Sequence, residues 1–184
     1  IPEEQAGFQP GRSTTDCLTQ LAQHIFDGLN SSKPAHRSLV VAVDVKAAFD
    51  RVWCGGLLAK LAEANIPVRW LRWLCAFLSD RRARVKWNDS LSPPHIFKEG
   101  VPQGSPLSPL LYIISTAGLI RAIKSSAPQA LCISYAEDFT IVTEQDQRLG
   151  TAAAETMQLA LNVSADFAAG ITSLWRPRRR RLFS

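Results

Sequence analysis

Leu131-Cys-Ile-Ser-Tyr-Ala-Glu-Asp-Phe-Thr-Ile-Val-Thr143 sets two short apolar runs on either side of an acidic tetrapeptide. Leu131–Ser134 and Phe139–Thr143 read as strands, and Tyr135-Ala136-Glu137-Asp138 is short enough to be a tight turn between them. The spacing predicts a hairpin whose tip carries two neighbouring acids. A second run, Ser38-Leu39-Val40-Val41-Ala42-Val43, is almost wholly apolar and ends on Asp44. It reads as a central strand buried on both faces. Were these strands neighbours in one sheet, three carboxylates would meet at their ends and repel unless cations held them. Hard divalent ions, Mg²⁺ foremost, prefer such oxygens. Two of them about 4 Å apart can activate a 3′-hydroxyl and stabilise a leaving pyrophosphate. A lone Asp at a strand end reads equally well as a cap or turn residue.

Helical patterns surround these runs. Ser13-Thr14-Thr15 offers N-caps to an amphipathic helix with Leu18, Leu21, Ile25 and Leu29 on one stripe. Residues 56–65 and 67–80 read as two helices. In the second, Val68, Leu71, Leu74, Cys75 and Leu78 share a face, and Trp70, Trp73 and Phe77 add bulk. Arg82-Ala83-Arg84-Val85-Lys86-Trp87 alternates basic and apolar residues. Asn88-Asp89-Ser90 then turns the chain towards a strand near 95–98, which predicts a half-exposed hairpin with a basic face. Gly100 to Pro109 is a loop rich in glycine and proline that opens a helix over about 107–124. It reads either as an anion-binding helix start or as a plain junction. A last helix is expected over 151–169.

Composition narrows the classes. The 184 residues are 46% hydrophobic and 20% charged, a globular balance for one domain or two small subdomains. No apolar run is long enough for a membrane span, and the first residues lack a signal-peptide layout. A soluble intracellular chain is expected, with nucleus and cytoplasm undistinguished. Cys17, Cys54, Cys75 and Cys132 form no C-x-x-C pair and read as small buried hydrophobes. The net charge of +5 comes from Arg176 and Arg178 to Arg181. The preceding 175 residues hold 16 basic and 16 acidic side chains. That tail reads as a solvated end, with a nuclear-localisation patch as the other reading.

Three segments together carry a resemblance. Asp44-Val-Lys-Ala-Ala-Phe49-Asp50, Gly100-Val-Pro-Gln-Gly-Ser-Pro-Leu-Ser-Pro-Leu-Leu-Tyr112 and Tyr135-Ala-Glu-Asp138 resemble, in order and spacing, motifs A, B and C of reverse transcriptases. Gln5-Ala-Gly-Phe-Gln-Pro-Gly-Arg-Ser-Thr14 is similar to the fingers motif that precedes them. The wording of motifs A and B is similar to that of non-LTR (LINE-type) retrotransposons on the jockey/ingi side. The resemblance covers about residues 3–169.

The resemblance implies an α+β fold. Its palm would be a small antiparallel sheet packed on helices, with interleaved fingers segments and no thumb. Residues 1–37 would be fingers, 38–52 palm with motif A, and 53–99 fingers helices and the basic hairpin. Residues 100–169 would be palm with motifs B and C, and 170–184 a non-homologous basic tail. It implies RNA-directed addition of deoxynucleotides to a DNA primer on an RNA template, with two Mg²⁺ ions, or Mn²⁺ in their place. Asp44, Glu137 and Asp138 would be catalytic metal ligands, joined by the Val45 carbonyl. Phe49 would be the steric gate against a 2′-hydroxyl, where a core aromatic is the plain alternative; for Asp50 a capping or surface role is favoured. Gln103 and Gly104 would line the nucleotide and template pocket, and Arg12 would lie near template or triphosphate. Arg82, Arg84 and Lys86 would track the template backbone, or form a solvated face.

The chain departs from the family at three places. Motif C is Tyr-Ala-Asp-Asp in the family, and the first Asp is Glu137 here. The extra C–C bond displaces its carboxylate by ~1.5 Å. Such misplacement in a pre-organised site costs ~100-fold in rate, about 2.7 kcal/mol, so an impaired site is expected. Gln9 stands where the fingers motif has Arg. From Gly170 the expected close of the palm gives way to the arginine run, as in a frameshifted or truncated copy. Two other readings stay open: a non-catalytic nucleic-acid-binding remnant, and an inert pseudogene product.

Overall fold

The structure is a computed structural model, and it describes residues 1–31, 36–146 and 151–172. The Arg176–Arg181 tail lies outside the described residues. Two compact units emerge. One comprises Ile1–Lys46 with Thr116–Ser184, and the other is Ala47–Ser115.

In the first unit, α1 (Thr14–Asn30) starts where the sequence offers its cap. Ser13 accepts from the Asp16 backbone N–H, and the Asp16 carboxylate accepts from the Ser13 N–H at 2.7 Å. Both bonds satisfy donors that a helix start leaves free. The Ser13 hydroxyl also donates to the Asp16 carboxylate at 2.8 Å, and with the Ser13 N–H it holds that carboxyl below its ordinary value. The expected apolar stripe is less buried than its spacing suggests, with Leu18 65% and Leu29 51% exposed.

A three-stranded antiparallel sheet follows, in the order β1 (His36–Asp44), β7 (Asp138–Asp146), β6 (Leu131–Tyr135). The hairpin forms as its sequence predicts. The expectation for residues 38–43 is corrected: β1 pairs only with β7, at the edge, and Leu39 and Val40 remain exposed. The centre belongs to β7, where Phe139, Ile141, Val142 and Thr143 are all buried. A strand within a hairpin already has one neighbour, so an arriving partner makes it the middle one.

The core of this unit joins Leu119, Ile120 and Ile123 of α4 (Ser108–Ser126) to Cys132, Phe139 and Ile141 of the sheet. Met157 and Ala160 of α5 (Ala152–Thr172) complete it. Helices near the expected 107–124 and 151–169 do cover the sheet. Val41 and Val43 of β1, with Val45 just past its end, pack on the same cluster. Of the four cysteines, all free, only Cys132 is fully buried, and burial pushes its thiol up to about 12. The other three are half-buried, which corrects that expectation.

In the second unit, α2 (Cys54–Glu63) packs on α3 (Val68–Leu78). Leu57 and Leu61 are buried on one, and Leu71, Leu74 and Leu78 on the other. The spacing therefore locates the buried face of α3 but overstates it, because Val68, Trp70 and Trp73 stay half-exposed. The basic hairpin forms as two short ladders: β2 (Arg81–Ala83) with β5 (His95–Phe97), and β3 (Lys86–Trp87) with β4 (Ser90–Leu91). Between them Val85 and Ser92 exchange bonds outside either ladder, at 2.9 Å. Apart from Arg81 its basic side chains are exposed. Arg81 instead anchors the base of the hairpin, donating to the carbonyls of Leu78, Glu99 and Gly100 at 3.2, 2.5 and 2.7 Å.

Candidate active site

Register places the acids. Asp44 is paired directly with Asp138 at the ends of β1 and β7, and Tyr135 faces Asp138 from β6. Direct partners in an antiparallel ladder put their side chains on one face, so the two carboxylates and the phenol form a row across three strands. Both aspartates are exposed, and Glu137 is half-buried. Like charges directly opposite each other oppose folding, so a sheet that keeps such a pair is bearing a cost its packing does not explain. Glu137 sits outside the ladder, in the turn between Tyr135 and Asp138. Among the described residues no three His, Cys, Asp or Glu side chains are arranged to hold a metal ion. The pair Asp44–Asp138 offers hard oxygens suited to a divalent cation. Glu137 does not join it as a ready third ligand.

What holds that turn is a residue to which the sequence reading assigned no role. Gln5 is 1% exposed and uses all four hydrogen-bonding positions of its amide. Its Nε2 donates to Ser134 Oγ at 2.9 Å and to the Ala136 carbonyl at 3.1 Å. Its Oε1 accepts from the N–H groups of Gly7 and Ala136 at 2.8 and 3.0 Å. Ala136, the residue before Glu137, has φ +56°, a strained position for a side chain. Both of its backbone polar groups are therefore occupied by one glutamine. Around this contact Ser134 N–H donates to the Glu4 carbonyl and Ala6 N–H to the Ser134 carbonyl. A methyl group on Gly7 would lie 2.1 Å from the Ala136 nitrogen, so only glycine permits this approach. Lys124 closes the bracket by pairing with Glu4. Burial pushes the Glu4 carboxyl up, but the Lys124 bond, a backbone hydrogen bond and the charges of Lys124 and Arg12 together outweigh it and leave it below its ordinary value of 4.5.

Arg12 stays in this N-terminal segment. It donates to the Glu3 carbonyl at 2.6 Å and lies 3.9 Å from the Glu3 carboxylate. Together with Gln9, these residues line a shallow hollow.

The other expected nucleotide contacts lie in the second unit, described by itself. The Phe49 ring stacks on Tyr112, at 4.8 Å between centroids. Tyr112 is buried and Phe49 only half so, which leaves the Phe49 ring backed on one side. Val101 N–H donates to the Phe49 carbonyl at 2.8 Å and Gly100 N–H to the Val52 carbonyl at 2.7 Å. Gly100 has φ +84°, and a side chain there would strike the Asp50 backbone at 2.7 Å. The exposed Gln103 donates to the carboxylate of Asp50, itself exposed, at 3.1 Å. Gly104, also exposed, has φ +86° and open space around it.

Residues 1–169 match the family model for reverse transcriptase (RNA-dependent DNA polymerase). The chain belongs to the reverse transcriptase family. It is 36% identical over 145 residues to a probable RNA-directed DNA polymerase from transposon BS of Drosophila melanogaster, covering 77% of this chain and 16% of that protein. It is 31% identical to the RNA-directed DNA polymerase from mobile element jockey of Drosophila funebris, covering 78% and 16%. The homologues are thus polymerases of non-LTR transposons, as the wording of motifs A and B implies. The reverse transcriptase fold is met again in the apo telomerase of Candida tropicalis truncated from its C-terminal domain. That match has a TM-score of 0.62 at 16% identity, over 88% of this chain and 32% of that one. A telomerase of Candida albicans, solved with a fragment of telomeric RNA, matches with a TM-score of 0.53 at 14% identity, over 87% and 29%. Reverse transcriptases are generally metal-dependent. No helix among the described residues is long and apolar enough to cross a membrane.

Proposed function

We propose that this chain carries the nucleotidyl-transfer centre of a retrotransposon RNA-directed DNA polymerase, adding deoxynucleotides to a primer 3′-end on an RNA template. The observation that carries the reading is the Asp44–Asp138 register pair at adjoining strand ends. Asp44 and Asp138, with the Val45 carbonyl, would hold Mg²⁺. When bound, the two ions lower the pKa of the attacking hydroxyl and neutralise charge on the leaving pyrophosphate. The chain's own residues do the positioning. Gln5 fixes the turn that carries Glu137 and Asp138, and Tyr112 backs the Phe49 ring, which would exclude a 2′-hydroxyl. Asp50 steers Gln103 towards the nucleotide and template, with Gly104 leaving the approach open. Residues 1–37 and 53–99 serve as fingers, 38–52 and 100–169 as palm. Arg82, Arg84 and Lys86 track the template phosphates.

Glu137 limits the rate. Primer extension on a homopolymer RNA template, with Mg²⁺ and separately with Mn²⁺, compares the parent with Glu137→Asp. A gain of ~100-fold in the variant is expected. Silence from both, in protein with a cooperative melt, would overturn the catalytic reading. It would favour the second one, a nucleic-acid-binding remnant.

A further inference from the structure

Helix α3 carries an exposed aromatic surface that includes none of the residues assigned above to nucleotidyl transfer. Trp70, Trp73 and Phe77 recur at helical spacing on one side, beside the buried Leu71, Leu74 and Leu78. Both tryptophans are 51% exposed. Trp70 meets Trp73 edge-on at 6.4 Å, and Trp73 lies nearly parallel to Phe77 at 5.4 Å and 7°. These rings brace one another and keep their outer surfaces in water. The Arg69 guanidinium lies over the Trp70 ring, 5.7 Å from its centroid. Arg69 and Arg72 are the only charged residues of α3, and it has no acid.

Charge selects the occupant. Residues 47–115 hold nine basic and five acidic side chains, net +4, although the chain up to residue 175 is neutral. Aromatic rings that hold each other rigid beside arginines suit unstacked bases, whose faces stack on the rings while the phosphates meet the cations. A protein partner would be offered the same rings but would need an acidic rim.

We infer that the Trp70–Trp73–Phe77 face of α3, with Arg69, is a stacking platform for single-stranded nucleic acid, built from residues other than those of the nucleotidyl-transfer centre. It goes beyond the polymerase reading and does not depend on catalysis, so a catalytically silent chain would still show it.

Tryptophan fluorescence and anisotropy of the whole chain with a labelled single-stranded oligouridylate test it. Binding should quench the emission and be weakened about tenfold or more by Trp70→Ala with Trp73→Ala. Trp73→Phe keeps a ring and should keep the affinity, which separates stacking from a folding defect. Trp87→Ala, in the basic hairpin, should leave most of the quench. Arg69→Ala should lower the slope of log affinity against log salt by about 0.7. Three results would each overturn the inference: unchanged affinity in the double variant, a duplex of equal length binding equally well, or loss of affinity in Trp73→Phe as great as in the alanine variant. Self-association abolished by the double variant, with oligonucleotide binding intact, would assign the face to a second copy instead.

Discussion

The two hairpins of this chain solve opposite problems. The β6–β7 hairpin is buried along its strands, central in its sheet, and pinned at its tip by a glutamine from the N-terminal segment. The β2–β5 hairpin stands in solvent, broken into two ladders, and is tied down at its base by Arg81. A group that must sit within a fraction of an ångström of a reacting atom needs the first kind of support. A cation that meets a flexible phosphate chain needs only exposure. The charges follow: −4 over residues 1–46 and 116–175, and +4 over residues 47–115.

The contrast breaks first at the acids. Asp138→Asn should lower primer extension about 10³-fold. The melting temperature should hold or rise, because a like-charge pair is relieved. Loss of both activity and stability would make Asp138 a structural residue. Next in size is Gln5→Ala, which strands the Gly7 and Ala136 backbone groups. At about 1–3 kcal/mol for each buried group left unpaired, a loss near 3 kcal/mol is expected in chemical denaturation. A loss under 1 kcal/mol would show that the turn supports itself.

The exposed hairpin should answer in the other currency. Replacing Arg82, Arg84 and Lys86 with alanine should leave stability within about 0.5 kcal/mol. It should flatten the salt dependence of RNA binding by about 2 in log–log slope. Smallest is the pH effect of Glu4. Its carboxyl is lowered in the folded chain, so its stabilisation is present above pH 4.5 and is lost as pH falls through the lowered value. Melts of the parent and Glu4→Gln should differ at neutral pH and converge below that point.

The acidic hairpin was legible because its signal is local: two apolar runs, four residues, two acids. Position within a sheet is not local. The run Leu39–Val43 is apolar enough for a central strand, but the centre goes to whichever strand gains two partners, here β7. Val68 misled for a related reason, since it shares the apolar spacing of α3 yet is 53% exposed: apolarity shows what can be buried and not what is. Asp44 and Asp138 end strands that share one ladder, so their meeting follows from the two apolar runs, whereas Tyr112 behind Phe49 depends on a stack between residues far apart in sequence. Gln5 was invisible as a brace because a polar side chain in a loop carries no pattern, and its partner Ser134 lies 129 residues away.

That separation bears on how the chain acquires its shape. The bond from Gln5 to Ala136 closes a loop of 131 residues, among the most distant contacts available to it. Closure over such a span costs chain entropy that early local contacts do not repay. During synthesis the segment around Gln5 is made well before β6 and meets these partners only once β6 has followed. The turn would then be the last part of its unit to become rigid, and the first to loosen on unfolding.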